Sequence, residues 1–292
     1  MTTTQKEEVS TLILQGFILL FMGIAGFIGL VAGGFDTDFV INTYTIYGVY
    51  FLVGFLSMHT AIQINKFIKT KDNKYGDSIS FNSLGKAPAL SFFKKFNWLQ
   101  IYMICLILFS VIGLLGQTFT GQSFTKYLGA ETPFVKQQFT ETGSILFSTF
   151  IVATAENMAI AGFFALAMSI TLMLLTRRFN WAKDNYFTLY WLIGLSFFPI
   201  LWVGLHLLTY GGQESALYSV FLFGFTGAFL TLLTGSFMPW FALHQVNNLF
   251  LDLRRYFGSN EVLFTVAIFI ILALGGIYFF LNNYFWKKRR IV

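Results

Sequence analysis

Charge is what this sequence has least of: 11% of its 292 residues are Asp, Glu, Lys or Arg. Soluble domains carry about a quarter, so an ordinary water-soluble fold is excluded. Cysteine is scarcer still. Cys105 is alone and lies within an apolar stretch, which excludes a disulfide framework and a thiolate metal cluster and argues against a cysteine nucleophile. The chain has no clear internal repeat, no low-complexity tract and no polar block that reads as a separate soluble domain.

What fills the chain instead is apolar, with 56% hydrophobic and 20% aromatic residues and a mean hydropathy of +0.67. These residues come in blocks at 11–34, 41–64, 97–117, 144–175, 186–208, 215–234, 237–251 and 261–284. A crossing helix needs roughly 17 to 25 residues; all the blocks except 237–251 reach that length. The expected fold is all-α, a polytopic transmembrane helix bundle of about eight spans, with residues 1–292 forming one integral membrane domain. The opening residues 1–10 mix both charges and no small-residue cleavage site follows the first block, so 11–34 is read as a span and not as a removed signal peptide.

Lys and Arg test the parity. If every block crosses and loop 65–96 is inside, 15 of the 19 cations are cytoplasmic, and Lys126, Lys136, Arg254 and Arg255 are outside. A non-crossing block 237–251 would leave 13 against 6. The positive-inside rule therefore favours eight spans with both termini in the cytoplasm. The formal net charge of +6 arises from clusters beside apolar blocks, a topogenic pattern that implies a lipid bilayer and no nucleic acid. Two loops, 65–96 and 118–143, exceed a simple turn without resembling a domain. In the first block Gly23, Gly26, Gly29 and Gly33 recur at three or four residues, a stripe that lets a second helix approach closely.

An ionisable side chain is costly in hydrocarbon, so those inside spans are the first candidates for function. Most of the acids fall in loops, in the N-terminal tail or at span ends. Glu156 is the one well inside a span. It can serve as a base, or it can be a protonated group that only ties two helices together; the residue alone leaves both open. His59, His206 and His244 also fall within blocks. His59, in Ser57-Met58-His59-Thr60, has no obvious companion and is read as a packing histidine. His244 has one, because Asn248 follows four residues later on the same helix face. Together Glu156, His206, His244 and Asn248 supply a base and several donors from three spans, a set suited to hydrolysis: a carboxylate takes a proton from water, and donors stabilise the oxyanion formed at a carbonyl. No His-Glu-x-x-His motif is present, and the sequence demands neither a zinc ion nor any other cofactor.

The stretch Thr234-Gly235-Ser236-Phe-Met-Pro239, followed by His244-Gln-Val-Asn-Asn248, resembles the last motif region of the CAAX protease and bacteriocin-processing family of intramembrane glutamate-type endopeptidases. Trp202-Val-Gly-Leu-His206 is similar to that family's Phe-x-x-x-His, with Trp in place of Phe. Glu156-Asn157-Met-Ala-Ile-Ala161-Gly162 is similar to its Glu-Glu-x-x-x-Arg motif. The motifs occur in the family's order over about 144–252, the family-like core. The resemblance implies that Glu156 activates the attacking water with help from His206, while His244 and Asn248 hold the oxyanion. The chain departs from the pattern at Asn157, where the family has a second Glu, and at Ala161, where it has Arg. An Arg beside a Glu would orient it, so both lost positions read as supports and not as participants in the chemistry.

The first functional expectation is thus a metal-independent intramembrane endopeptidase acting on a peptide or membrane-protein substrate. The alternative, favoured by Asn157 and Ala161, is a catalytically idle relative that serves as scaffold or subunit of a membrane complex. A proton-coupled transporter with Glu156 as carrier ranks third, because the inverted repeats and broken helices of transporters are not evident.

Overall fold

In hydrocarbon every backbone N–H and C=O must be satisfied within the protein, and an apolar run meets that demand as a helix. The computed structural model describes residues 10–12, 14–16, 39–68, 79–80, 83–84, 96, 98–120, 151–210, 214–257, 266–278 and 281. The helices are α1 (Phe39–Asn65), α2 (Trp98–Thr120), α3 (Ala153–Arg178), α4 (Asn180–Asp184), α5 (Tyr186–Tyr210), α6 (Glu214–Thr234) and α7 (Met238–Phe257). A shorter apolar helix, α8, covers Val266–Tyr278. Among the described residues, strand is confined to a minimal antiparallel pair in the 65–96 loop, β1 (Ile79–Ser80) with β2 (Ser83–Leu84), in which Ile79 is opposite Leu84. The glycine stripe of the first block and most of loop 118–143 lie outside the described residues.

Among the described residues, five helical segments are long and apolar enough to cross a membrane: Tyr47–Asn65, Trp98–Leu115, Ala153–Arg178, Tyr186–Leu207 and Leu217–Thr234. Their outward faces carry Leu52, Phe55, Leu108, Leu192, Ile200 and Phe229, all exposed. Water would not tolerate so much contiguous apolar surface, whereas lipid does.

Contacts between helices fix their relative directions. Arg177 at the end of α3 donates from Nε to the Phe67 carbonyl at 3.3 Å, its guanidinium lying 5.5 Å from the Phe67 ring centroid, so α1 and α3 end together and run parallel. Short α4 returns the chain into α5, which therefore opposes α3. Gly194 of α5 faces Leu232 of α6, and Gly224 of α6 faces Pro199 and Trp202, so these two are antiparallel. Helix α7 reverses from α6. Tyr102 bonds Gln245 and Phe250 meets Gly113, which makes α2 parallel to α7. Each of α1, α2, α3, α5, α6 and α7 thus opposes the one before it, α4 aside.

Two close approaches hold the site's helices together. A Cβ on Gly162 would enter the carbonyl of Gly54, and one on Gly54 would strike the carbonyl of Met158, so α1 and α3 cross backbone to backbone. Gly227 likewise leaves room for the Trp240 indole between α6 and α7. The turn between those helices is buried at Thr234, Ser236 and Phe237, and it satisfies its own polar groups. Gly235 takes a φ of 68°, the left-handed cap that favours glycine. The amides of Gly235 and Ser236 both donate to the Thr231 carbonyl, at 2.9 and 3.2 Å. The Met238 amide donates to Ser236 Oγ at 3.2 Å. Pro239 follows in the first turn of α7, where a missing N–H costs no intrahelical bond.

Helices α3 and α7 form the interior. From Phe237 to Asn247 nearly every residue of α7 is buried, as is most of α3. Polar side chains can therefore sit on these two helices without facing lipid.

Candidate active site

Glu156 lies in the first turn of α3, just after a π-helical turn at 151–152. His244 lies in the second turn of α7, and the opposed directions of the two helices bring them face to face. Glu156 Oε2 is 3.5 Å from His244 Nε2, with 20% of the glutamate side chain exposed and 5% of the histidine. From α1, Tyr47 and Tyr50 lie within electrostatic reach of Glu156, their rings edge to face at 5.9 Å.

The second nitrogen of His244 is held by a residue that the sequence reading treated as a loss. His244 Nδ1 is 2.9 Å from Asn157 Oδ1. The Asn157 amide donates from Nδ2 to the Phe241 carbonyl at 3.5 Å, and the side chain is fully buried. Three aromatic rings wall the imidazole: Trp202 of α5 at 5.0 Å, Phe223 of α6 at 6.0 Å and Trp240 of α7 at 5.7 Å between centroids. Such a wall keeps water from competing for the ring's hydrogen bonds.

His206 comes from the end of α5. Its Nδ1 is 2.9 Å from the Trp202 carbonyl one turn back, so in the neutral ring that nitrogen carries the proton and Nε2 is left as acceptor. The His206 ring lies 4.2 Å from that of Trp202, within Coulombic reach of His244. Glu156 thus faces His244 directly, and the rings of His206 and His244 both pack on Trp202. Asn248 lies one turn beyond His244 and is half-buried. Among the described residues no three His, Cys, Asp or Glu side chains group closely enough to hold a metal ion.

His59 departs from its expected role as a packing histidine. Gly54, Ser57, Met58, Ala61 and Ile64 form the buried stripe of α1, and the 3.6-residue period rotates His59 to the outside, where it is exposed.

A polar chain beside the site went unread in the sequence. Tyr102 of α2 donates to Gln245 Oε1, and Gln245 Nε2 donates to Thr154 Oγ1 at 3.2 Å, tying α2, α7 and α3 together and fixing the rotation that aims His244 at α3. The signal was available: Asn157, Gln245 and Asn247 are amides inside apolar helices, and the cost that singles out intramembrane acids applies to them in smaller measure.

No protein-family model matches this chain, and neither a curated protein nor a solved structure does.

Proposed function

We propose that this protein is an intramembrane endopeptidase of the glutamate type, resembling the CAAX protease and bacteriocin-processing family, that cleaves a peptide or a membrane-associated protein. The observation that carries the proposal is the approach of Glu156 to His244 across two buried, oppositely directed helices, with His206 and His244 both packed on the Trp202 ring. Glu156 takes a proton from a water molecule as its oxygen adds to the scissile carbonyl carbon. His244 and Asn248 donate to the resulting oxyanion, His206 assists the base, and collapse of the tetrahedral species returns the proton from Glu156 to the leaving amine.

In this proposal the chain crosses the bilayer eight times with both termini cytoplasmic. The alternating directions of successive long helices support that parity. Arg177, Arg178 and Lys183 cluster at the end of α3 and in α4, at the opposite end of the bundle from Glu156 and His206. With that basic end inside, Glu156, in the first turn of α3, lies toward the outer end of the bundle. The site then opens to the outer half of the membrane and suits a substrate reached from the bilayer or the outer face.

Glu156→Gln keeps the shape of the side chain and removes the base. Cleavage of co-expressed candidate substrates in the same membranes should fall by about 10²- to 10⁴-fold. Equal cleavage by the variant would remove the proposal and leave the scaffold reading.

A further inference from the structure

We infer that Asn157 is a positioning residue that holds His244 as its Nδ1–H tautomer, so that Glu156 and His244 Nε2 share a single proton. The inference deepens the proposed function and rests on the same reading of the site.

The atoms that fix the tautomer have one hydrogen-bonding role each. The Phe241 carbonyl can only accept, so the Asn157 NH₂ must face it. That turns Oδ1 toward the imidazole, and Oδ1 in turn can only accept. The nitrogen 2.9 Å away, His244 Nδ1, must therefore carry a proton. In a neutral ring the lone pair is then on Nε2, the atom that faces the Glu156 carboxyl at 3.5 Å. Asn157 is fully buried and His244 is 4% exposed, so no bulk water can take over either bond.

An isolated charge in this surrounding is expensive, and a neutral pair is not. The resting proton therefore sits on the Glu156 carboxyl, directed at Nε2. Its transfer to Nε2 breaks one O–H bond, forms one N–H bond and changes no net charge. It creates two reactive groups at once: a carboxylate that can take a proton from water, and an imidazolium whose Nε2–H can donate to an oxyanion. Without that transfer the neutral ring has no proton on the side facing Glu156. An acid in place of Asn157 would act differently. A carboxylate at 157 would hold a permanent imidazolium between two anions, whereas the amide orients the ring and leaves the proton free to move.

The test is solid-state ¹⁵N NMR of full-length protein labelled at histidine and reconstituted in phosphatidylcholine–phosphatidylglycerol bilayers, with His244 identified by its loss in His244→Gln. Wild type should show His244 protonated at Nδ1 and bare at Nε2. Asn157→Leu, of similar size but without an acceptor, should move the proton to Nε2 and lower kcat by about 10²-fold with KM retained. Asn157→Asp should show both nitrogens protonated. A wild-type signal for the Nε2–H form would overturn the inference, as would an unchanged tautomer in Asn157→Leu. If the leucine variant does not fold, a singly protonated ring in Asn157→Asp decides against it in the same way. The expected tautomers in a protein that cleaves nothing would remove the protease reading alone, and cleavage with the wrong tautomer would remove only this inference.

Discussion

Gly54 and Gly162 meet backbone to backbone where α1 crosses α3, and neither position has room for a Cβ. This contact brings Tyr47 and Tyr50 of α1 to the level of Glu156, eight residues or fewer along each helix from the crossing. The pair acts as small-residue interfaces do in membranes, where backbones approach because nothing larger intervenes and van der Waals contact replaces the hydrophobic drive available in water.

Gly162→Ala should therefore be costly for a single methyl group. The obstacle is a carbonyl and not a flexible side chain, so the helices must separate, at about 1 to 3 kcal/mol. Thermal unfolding in detergent should show a lowered midpoint. His59→Ala, on the exposed side of the same helix, should change stability by no more than about 0.5 kcal/mol. Equal effects of the two substitutions would show that the crossing carries no special constraint.

Asn248→Ala should lower turnover by about 10²- to 10³-fold while leaving KM largely intact, as expected for a donor used only when the oxyanion forms. Steady-state kinetics on a cleaved substrate separate the two parameters. Weakened binding with unchanged turnover would assign Asn248 to structure.

Gly235→Ala should destabilise the protein by about 1 to 2 kcal/mol, the cost of forcing a Cβ into the left-handed conformation. Because the buried turn sets where α7 begins, the same change should also reduce cleavage by displacing His244. Gly48→Ala, inside α1 where an added Cβ meets nothing within 4 Å, is the control: it should not lower the unfolding midpoint, because alanine favours a helix over glycine, and it should leave cleavage unaltered.

The orientation can be read with a membrane-impermeant thiol reagent on intact cells. Cys105 is buried and is replaced by Ser to clear the background. Single cysteines at Asn185, exposed at the basic end of the bundle, and at Gln213, between α5 and α6, should be protected and labelled respectively. The opposite pattern would invert the topology and turn the site toward the cytoplasm.

Much of the architecture is already written in local pattern. Apolar blocks long enough for hydrocarbon can only be helical there, and 41–64, 97–117, 186–208 and 215–234 reappear as α1, α2, α5 and α6 within a few residues at each end. Glu156, His206 and His244 could be singled out because burying an ionisable group in lipid is expensive wherever the chain later places it. Partners are a different matter. The Asn157–His244 bond joins residues 87 positions apart, and neighbouring positions on a helix differ by about 100°, so nothing local says that Glu156 and Asn157 address opposite nitrogens of one ring. Read as a sequence, Asn157 was a missing carboxylate; in the fold it is the oxygen that orients the histidine. His59 reverses in the same sense, since composition placed it in a span but only the packing of α1 on α3 decided which side of the helix faces out. Local composition and period determined that helices form and which residues are chemically costly, whereas helix rotation and crossing depth, set by Gly54 against Gly162 and by the Gly235 turn, decided which of those residues meet.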